Sequence, residues 1–239
     1  MSVLVEILKK GFFELNIDLV DSQLEKFQIF HRLIIETNKC MNLTSIVEEK
    51  EFAVKHFIDS VSCLKATSIN IGMKLLDVGT GAGFPGIPLK VCCPDLKVTL
   101  VESKEKIVIF LNNAIKEMGL YDIEIVHARA EDIGKDQRYR EGYDLVTARA
   151  VAGLGVLAEY CLPSVKTGGF FLAMKGPRLA EEISAAKRSI MVMGGEINKV
   201  VSLKLPITGD ERNLVLIEKI KPTPQKYPRR PGIPLKKPI

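Results

Sequence analysis

The chain has 239 residues and a formal net charge of +5, and its length suits a single core of α/β size. It contains no apolar run long enough to span a membrane and no leader pattern, so we expect a cytoplasmic protein without a membrane partner. Its five cysteines form neither a C-x-x-C pair nor a Cys/His spacing typical of zinc, and we expect no disulfide framework and no metal site.

Residues 1 to about 70 show helical periodicity and no strand pattern. Ser22 and Glu25 have the spacing of a capping box and mark the start of one helix. A further helix is predicted over about 50–64. We therefore predict an N-terminal helical region, residues 1–70, which packs on the domain formed by residues 71–220.

From Lys74 onward, strands alternate with helices, a pattern that predicts a mostly parallel sheet with helices on both faces. A late helix, from about Arg178, is predicted to end at Gly194 and Gly195. The seven predicted strands are residues 74–78, 97–101, 123–127, 143–147, 169–174, 196–204 and 212–220.

The first strand opens directly into a glycine-rich turn, Gly-Thr-Gly-Ala-Gly-Phe-Pro-Gly at residues 79–86. Glycines at alternate positions permit positive φ angles and let a ligand approach the backbone. Residues 81–86 formally match the dinucleotide fingerprint G-x-G-x-x-G, but Gly79 already occupies the position after the strand where that fingerprint begins. No Gly-Lys-Ser/Thr sequence closes the turn, which excludes a phosphate-loop NTPase.

Acidic residues at two strand ends favour a nucleoside ligand in this turn. Asp77, two residues before Gly79, would repel a pyrophosphate and suits a ligand that carries an ammonium and a sulfonium. Glu102 follows the second strand, 23 residues after Gly79, where a carboxylate can bind two ribose hydroxyls. This position suits NAD and S-adenosylmethionine equally.

Further residues of interest follow the next three predicted strands, where the carboxyl edge of a parallel sheet faces the ligand crevice. Ala130 and Glu131 follow the third strand, Arg149 the fourth and Lys175 the fifth. Two cations at neighbouring strand ends are costly to hold without an anionic partner, and they indicate a substrate that carries phosphate.

The last segment, residues 221–239, contains six lysines and arginines, six prolines and no acidic residue. Such a segment is predicted to run extended as a basic, proline-rich tail, because proline disrupts both helices and sheet ladders. Its charges would then be free to meet a polyanion such as RNA.

Taken together, these features resemble the RsmG (GidB) family of bacterial 16S ribosomal RNA guanine-N7 methyltransferases, and the resemblance covers nearly the whole chain. It is carried by residues 42–45 (Asn-Leu-Thr-Ser), 56–60 (His-Phe-Ile-Asp-Ser), 77–86, 147–150 (Thr-Ala-Arg-Ala) and the basic tail. It implies the class I S-adenosylmethionine-dependent methyltransferase fold, a Rossmann-like α/β architecture with a seven-stranded, mostly parallel sheet and an N-terminal helical extension.

The resemblance also implies a donor and a substrate. The donor is S-adenosylmethionine. The substrate is a guanine, position 527, in the 530 loop of 16S ribosomal RNA, within the small ribosomal subunit or an assembly intermediate. The motifs that carry the resemblance imply that the cofactor contacts Gly79, Gly81, Phe84, Glu102, Ala130, Glu131 and Arg149.

No catalytic base is assigned, because guanine N7 has a free lone pair and no proton to remove. Lys175, His56 and Asp59 are candidates for positioning the substrate. His56 and Asp59 stand one helical turn apart, a spacing at which they could hydrogen-bond to each other.

Three other functions remain open from the residues alone. A small-molecule methyltransferase would use the same residues to bind S-adenosylmethionine, and an NAD-dependent oxidoreductase would use the same glycine turn to bind NAD. A non-catalytic RNA-binding module would bind RNA without methyl transfer.

Overall fold

The N-terminal part of the chain is helical in the computed structural model, which describes residues 2–177 and 179–239. Its elements are α1 (Val3–Glu14), α2 (Asp21–Asn38), α3 (Glu49–Phe52), a π-helical segment (Ala53–Ile58), α4 (Asp59–Val61) and a 3-10 turn (Ser62–Lys65). The predicted capping box of Ser22 and Glu25 is wrong. α2 has Val20 as its N-cap, so Gln23 is the residue that reaches back, and its Oε1 accepts the Val20 N–H at 3.1 Å.

The sheet contains all seven predicted strands, in the order β3-β2-β1-β4-β5-β7-β6. They are β1 (Lys74–Val78), β2 (Lys97–Glu102), β3 (Ile123–His127), β4 (Tyr143–Arg149), β5 (Val165–Lys175), β6 (Gly195–Lys204) and β7 (Glu211–Lys219). β1 to β5 are parallel, and β7 is antiparallel to both of its neighbours. β4 and β5 are longer than predicted, so Arg149 and Lys175 are the last residues of their strands.

Helices cover both faces of this sheet. The connecting helices are α5 (Gly86–Cys92), α6 (Glu105–Glu117), α7 (Ala130–Ile133), α8 (Leu154–Cys161) and α9 (Leu179–Val192). The predicted start of α9, Arg178, lies outside the described residues. One face shares a hydrophobic core with α1, α2, α5 and α6, and the other packs on α8 and α9. Phe30 of α2 lies 5.4 Å, between ring centroids, from Phe84 of the glycine turn, so the N-terminal helices reach the carboxyl edge of the sheet.

No helix within the described parts of the chain combines the length and the apolar character needed to cross a membrane.

The C-terminal tail, residues 221–239, folds back onto the domain. Arg140 donates a hydrogen bond to the carbonyl oxygen of Thr223 at 2.7 Å, and Arg229 forms an ion pair with the buried Glu159 at 2.6 Å. The tail includes the short helix α10 (Ile233–Lys236). The prediction of an extended tail with all its charges free is therefore wrong, because the domain supplies donors for its carbonyl groups and an anion for one of its cations.

Candidate functional site

The glycine turn follows β1 and is tied to β2, since the N–H of Gly79 donates to the carbonyl oxygen of Val101 at 3.0 Å. Gly79, Gly81 and Gly83 have φ angles of +68°, +57° and +102°, which side chains of L-residues rarely allow. A Cβ on Gly79 would lie 2.7 Å from a methyl group of Val151, whereas a Cβ on Gly81 would enter open space. The turn therefore leaves its backbone accessible at Gly81.

Asp77 lies beneath this turn and is fully buried. Its Oδ2 accepts hydrogen bonds from the Thr80 hydroxyl at 2.6 Å and the Gly86 N–H at 2.9 Å, and its Oδ1 accepts one from the Thr147 hydroxyl at 3.3 Å. Burial raises the pKa of Asp77 to about 6, although these hydrogen bonds act in the opposite direction. The prediction that this carboxylate faces a ligand ammonium is wrong, because one oxygen holds the turn and the other accepts from Thr147 of β4.

A cavity of about 450 Å³ opens at the carboxyl ends of β1, β2 and β3, and we call it the inner cavity. Glu131 is buried in its wall beside Ala130, the first residue of α7. Burial, reinforced by the negative charge of Glu131, raises the pKa of Tyr160 in the same cavity to about 12. The inner cavity is lined by Val78, Gly79, Val101, Ser103, Lys104, Ala128, Arg129, Ala130, Glu131, Val151 and Tyr160.

Glu102 is buried at the end of β2, directly behind that wall. Its Oε2 accepts the N–H of Gly81 at 3.1 Å, and its Oε1 accepts the N–H groups of Ser103 and Lys104 at 2.8 and 2.9 Å. The carboxylate therefore fixes the glycine turn against the start of the next helix. Its Oε2 keeps one lone pair beyond this bond.

A second cavity of about 240 Å³, the middle cavity, adjoins the inner one and shares Gly79 and Val151 with it. Its floor is Phe84, on which the His56 ring stacks with 4.6 Å between centroids. It is lined by Leu43, Thr44, His56, Gly79, Thr80, Gly81, Ala82, Phe84, Arg149, Ala150 and Val151. The N-terminal segment thus contributes three side chains to a site whose remaining walls come from strand ends.

His56 is held by its neighbours on both sides of the ring. Thr44 Oγ1 lies 2.9 Å from Nε2, and the Arg149 guanidinium lies 3.3 Å from Nδ1. Burial, reinforced by the charge of Arg149, lowers the pKa of His56 to about 3, so the ring is neutral near pH 7. The expected hydrogen bond between His56 and Asp59 is not made: His56 lies in the π-helical segment, whose turns are wider than those of an α-helix, and each of the two side chains contacts Arg149 instead.

A third cavity of about 380 Å³, the outer cavity, shares His56, Arg149 and Ala150 with the middle one. Here Asp59 accepts hydrogen bonds from Arg149 at 3.1 Å and from Arg212 at 2.9 Å. The outer cavity is lined by Ile46, Lys55, His56, Asp59, Arg149, Ala150, Met174, Lys175, Gly176, Glu182 and Arg212.

Both strand-end cations have anionic partners within the protein. Arg149 pairs with Asp59, and Lys175 pairs with Glu182 at 2.7 Å while it also donates to the carbonyl oxygen of Ala152 at 3.1 Å. The prediction of a phosphate-bearing substrate assumed that these two cations have no anionic partner in the protein. That assumption is wrong. Local pattern does not reveal the partner of Arg149, because Asp59 lies 90 residues before it in the chain.

Six of the seven predicted cofactor residues line the inner or the middle cavity, and Glu102 lies behind them. The three predicted substrate-positioning residues, Lys175, His56 and Asp59, all line the outer cavity. Sequence reasoning missed Arg212 and Glu182. Arg212 could have been found, because a strand that returns antiparallel beside β5 brings its first residues to the edge where β5 ends.

A larger cavity, about 690 Å³, lies at the opposite edge of the sheet, around Lys74, Lys97 and Tyr143 at the amino ends of β1, β2 and β4. In open parallel sheets, ligands bind at the carboxyl ends of the strands. The three connected cavities, which contain the glycine turn, are therefore the candidate site.

Comparisons with known proteins also indicate a methyltransferase. A protein-family model described as rRNA small subunit methyltransferase G (GidB) matches residues 23–215. The chain is 56% identical to the ribosomal RNA small subunit methyltransferase G of Pelotomaculum thermopropionicum, with all of both chains covered. It is 50% identical to the protein of the same name from Desulforamulus reducens, again over the whole of both chains.

Among solved structures, the chain resembles a precorrin-6y C5,15-methyltransferase from Geobacter metallireducens with a TM-score of 0.52 and 13% identity, over 75% of this chain and 92% of the other. It also resembles a SAM-dependent methyltransferase from Aquifex aeolicus with a TM-score of 0.50 and 21% identity, over 67% of this chain and 89% of the other. At these identities the likeness establishes the fold, the class I methyltransferase architecture.

Proposed function

This chain belongs to the rRNA small subunit methyltransferase G (GidB) family, as its motifs predicted, and on that premise we propose that it methylates N7 of a guanine in the 530 loop of 16S ribosomal RNA. The methyl donor is S-adenosylmethionine and the target guanine is position 527. The substrate is the RNA within the small subunit or an assembly intermediate, and the activity takes place in the cytoplasm.

The observation that carries this proposal is the row of three connected cavities along the carboxyl edge of the sheet. The inner cavity has the size for a nucleoside and a buried carboxylate in its wall, whereas the outer cavity carries Arg149, Lys175 and Arg212. Between them, the accessible backbone of Gly81 and the stacked rings of His56 and Phe84 line the middle cavity. Such a row can hold a cofactor at one end and a base at the other.

The residues present fit S-adenosylmethionine. A side chain at Gly81 would fill the space where a ligand meets the turn, and Ala130 leaves room for a flat ring. Glu131 offers an acceptor for the adenine amino group, and the remaining lone pair of Glu102 Oε2 offers one for a ribose hydroxyl. When bound, S-adenosylmethionine supplies an electrophilic methyl group on a positively charged sulfur.

The protein residues contribute position rather than proton transfer. His56 is neutral and, with a pKa of about 3, is a poor base, while Asp59 is occupied by two arginines. Guanine N7 needs no base, because its lone pair is already free, and orientation alone can supply much of the rate. The cations of the outer cavity can donate to guanine O6 and to RNA phosphates, which leaves the N7 lone pair free to face the middle cavity.

The experiment that tests the proposal is transfer of a labelled methyl group to small ribosomal subunits that lack the modification, compared with naked 16S RNA, followed by mapping of the labelled base. We expect label at N7 of one guanine in the 530 loop. Label on another base would overturn the site assignment, and label on neither RNA would overturn the function.

Binding and methylation assays on the same purified protein distinguish the three alternative functions. A small-molecule methyltransferase would bind S-adenosylmethionine and leave RNA unlabelled, and an oxidoreductase would bind NAD but not S-adenosylmethionine. A binding module would hold RNA without methyl transfer. The family membership favours the RNA methyltransferase, and the placement of Gly79 at the first position after β1 favours S-adenosylmethionine over NAD.

A further inference from the structure

The C-terminal tail is anchored to α8 by a buried ion pair. The Glu159 side chain is 1% exposed, and Arg229 donates to its two oxygens at 2.9 Å from Nε and 2.6 Å from Nη2. The backbone N–H of Arg229 donates to the same carboxylate at 2.8 Å. A buried carboxylate needs such a partner, because burying it unpaired costs far more than the pair gains. The anchor therefore fixes both the side chain and the backbone of the tail at this point.

Three residues later, the tail reaches the wall of the inner cavity. The N–H of Gly232 donates to Glu131 Oε1 at 2.8 Å, and Gly232 adopts a φ of +80°, a conformation that suits glycine. Tyr160, the neighbour of Glu159 on α8, lines the same cavity as Glu131. The tail therefore holds Glu131 through the Gly232 N–H, close to the helix on which the tail is anchored.

We propose that tail residues 229–232 position Glu131 to receive the adenine of the cofactor, which makes the tail part of the cofactor site. The inference rests on the proposed function, in which the inner cavity takes the adenosine of S-adenosylmethionine. A carboxylate already fixed by a backbone N–H loses little freedom when it accepts the adenine amino group, so prior ordering raises affinity. Arg229 and Gly232 act through Glu131 and are positioning residues.

The test compares binding of S-adenosylhomocysteine with binding of its inosine counterpart, in which the amino group is replaced by a carbonyl oxygen that repels a carboxylate. The full-length chain is studied as wild type, as Arg229→Gln, and as Arg230→Gln, a matched control that removes the same charge from the exposed neighbouring residue. We expect Arg229→Gln to weaken binding of the adenine ligand about tenfold and to reduce the preference for adenine over the inosine ligand by a similar factor. Arg230→Gln should change neither.

Arg229→Gln leaves Glu159 buried without its partner, so stability needs its own control. The double variant Glu159→Gln/Arg229→Gln removes both charges, and it should fold and show the same reduced preference for adenine. In methylation assays, the KM for S-adenosylmethionine should rise in this variant while the KM for RNA stays near the wild-type value.

The inference is overturned if the folded double variant keeps the wild-type preference for adenine. It is also overturned if the KM for RNA alone changes, since the tail would then act on the substrate. If the wild-type chain does not bind S-adenosylhomocysteine, the proposed function itself fails, and this outcome is distinct from wild-type binding that the variants retain.

Discussion

The carboxylate of Asp59, at the start of α4, accepts a hydrogen bond from the guanidinium of Arg149, at the end of β4, across 3.1 Å. Its other oxygen accepts one from Arg212 of β7 at 2.9 Å. Asp59 is 3% exposed, so two cations share one buried carboxylate. The N-terminal helices therefore fix the position of a strand-end arginine that lines both the middle and the outer cavity.

Replacing Asp59 by Asn should leave Arg149 and Arg212 without an anion in a largely buried place, at a cost of about 3–5 kcal/mol in stability. We expect Asp59→Asn to weaken S-adenosylmethionine binding and to slow methylation, each by about tenfold, because Arg149 loses its alignment. Calorimetric titration and single-turnover methylation measure the two effects. Asp18→Asn, at an exposed carboxylate, is the control. Wild-type rates in Asp59→Asn would contradict the role given to this pair.

Gly81 and Gly119 form a matched pair for testing the cofactor site. Their φ angles are +57° and +60°, and a Cβ on either would meet nothing within 4 Å, but Gly119 follows α6, away from the three cavities. Alanine should therefore impose similar backbone strain at both positions, about 1 kcal/mol. We expect Gly81→Ala to lose S-adenosylmethionine binding at least tenfold more than Gly119→Ala. Equal losses would mean that the space beside Gly81 is not used by the cofactor.

Lys175 pairs with Glu182, so its role in substrate contact can be separated from its role in the fold. We expect Lys175→Ala to reduce methylation at least tenfold with little change in S-adenosylmethionine affinity. Glu182→Gln keeps an acceptor for the N–H of Leu154 and frees the lysine, and it should retain methylation. A similar loss of activity in both variants would indicate that Lys175 serves only to hold α9 against β5.

The buried Asp77 predicts a specific dependence of stability on pH. Its pKa in the folded protein is raised from 3.8 to about 6, so the folded state binds this proton more tightly than the unfolded state does. The resulting stabilisation is present below about pH 4 and is lost as the pH rises through about 6. Asn does not titrate: its oxygen can accept from Thr80 and Gly86, and its NH2 group can donate to the Thr147 hydroxyl. Between pH 4 and 7 the free energy of unfolding of the wild type should therefore fall by up to about 3 kcal/mol relative to Asp77→Asn. Denaturant unfolding at several pH values measures it, and parallel curves would refute the shift.

The exposed cations of the tail are predicted to meet RNA even though Arg229 is not free. Changing Lys226, Arg230, Lys236 and Lys237 to Gln should reduce the slope of log Kd for RNA against log salt by about 0.7 for each phosphate group that is no longer bound. S-adenosylmethionine affinity should stay the same. A variant with Gln at Lys9, Lys10, Lys187 and Arg188 removes the same charge from exposed positions elsewhere. An unchanged slope in the tail variant would mean that these cations do not bind phosphate.

The local pattern of the sequence determined the strands, the glycine turn and the family. β1 and β3 have the predicted bounds, and the register of the turn from Gly79 favoured S-adenosylmethionine over a dinucleotide. These features depend on residues close together in the chain, where alternation of apolar side chains and the conformational freedom of glycine act directly. The start of α2 was misplaced because the choice of cap between adjacent candidates depends on which side chain reaches back.

The partner of each charge was decided only by the tertiary structure. Asp59 meets Arg149 and Arg212 from 90 and 153 residues away, and Arg229 meets Glu159 across 70 residues. Asp77 turned inward for a related reason, since the turn above it and the neighbouring strand supplied all its donors. Hydrogen bonds and ion pairs of this kind depend on which chain segments the sheet order brings together. A single sequence identifies the charged residues, and the fold determines which of them remain free for a ligand.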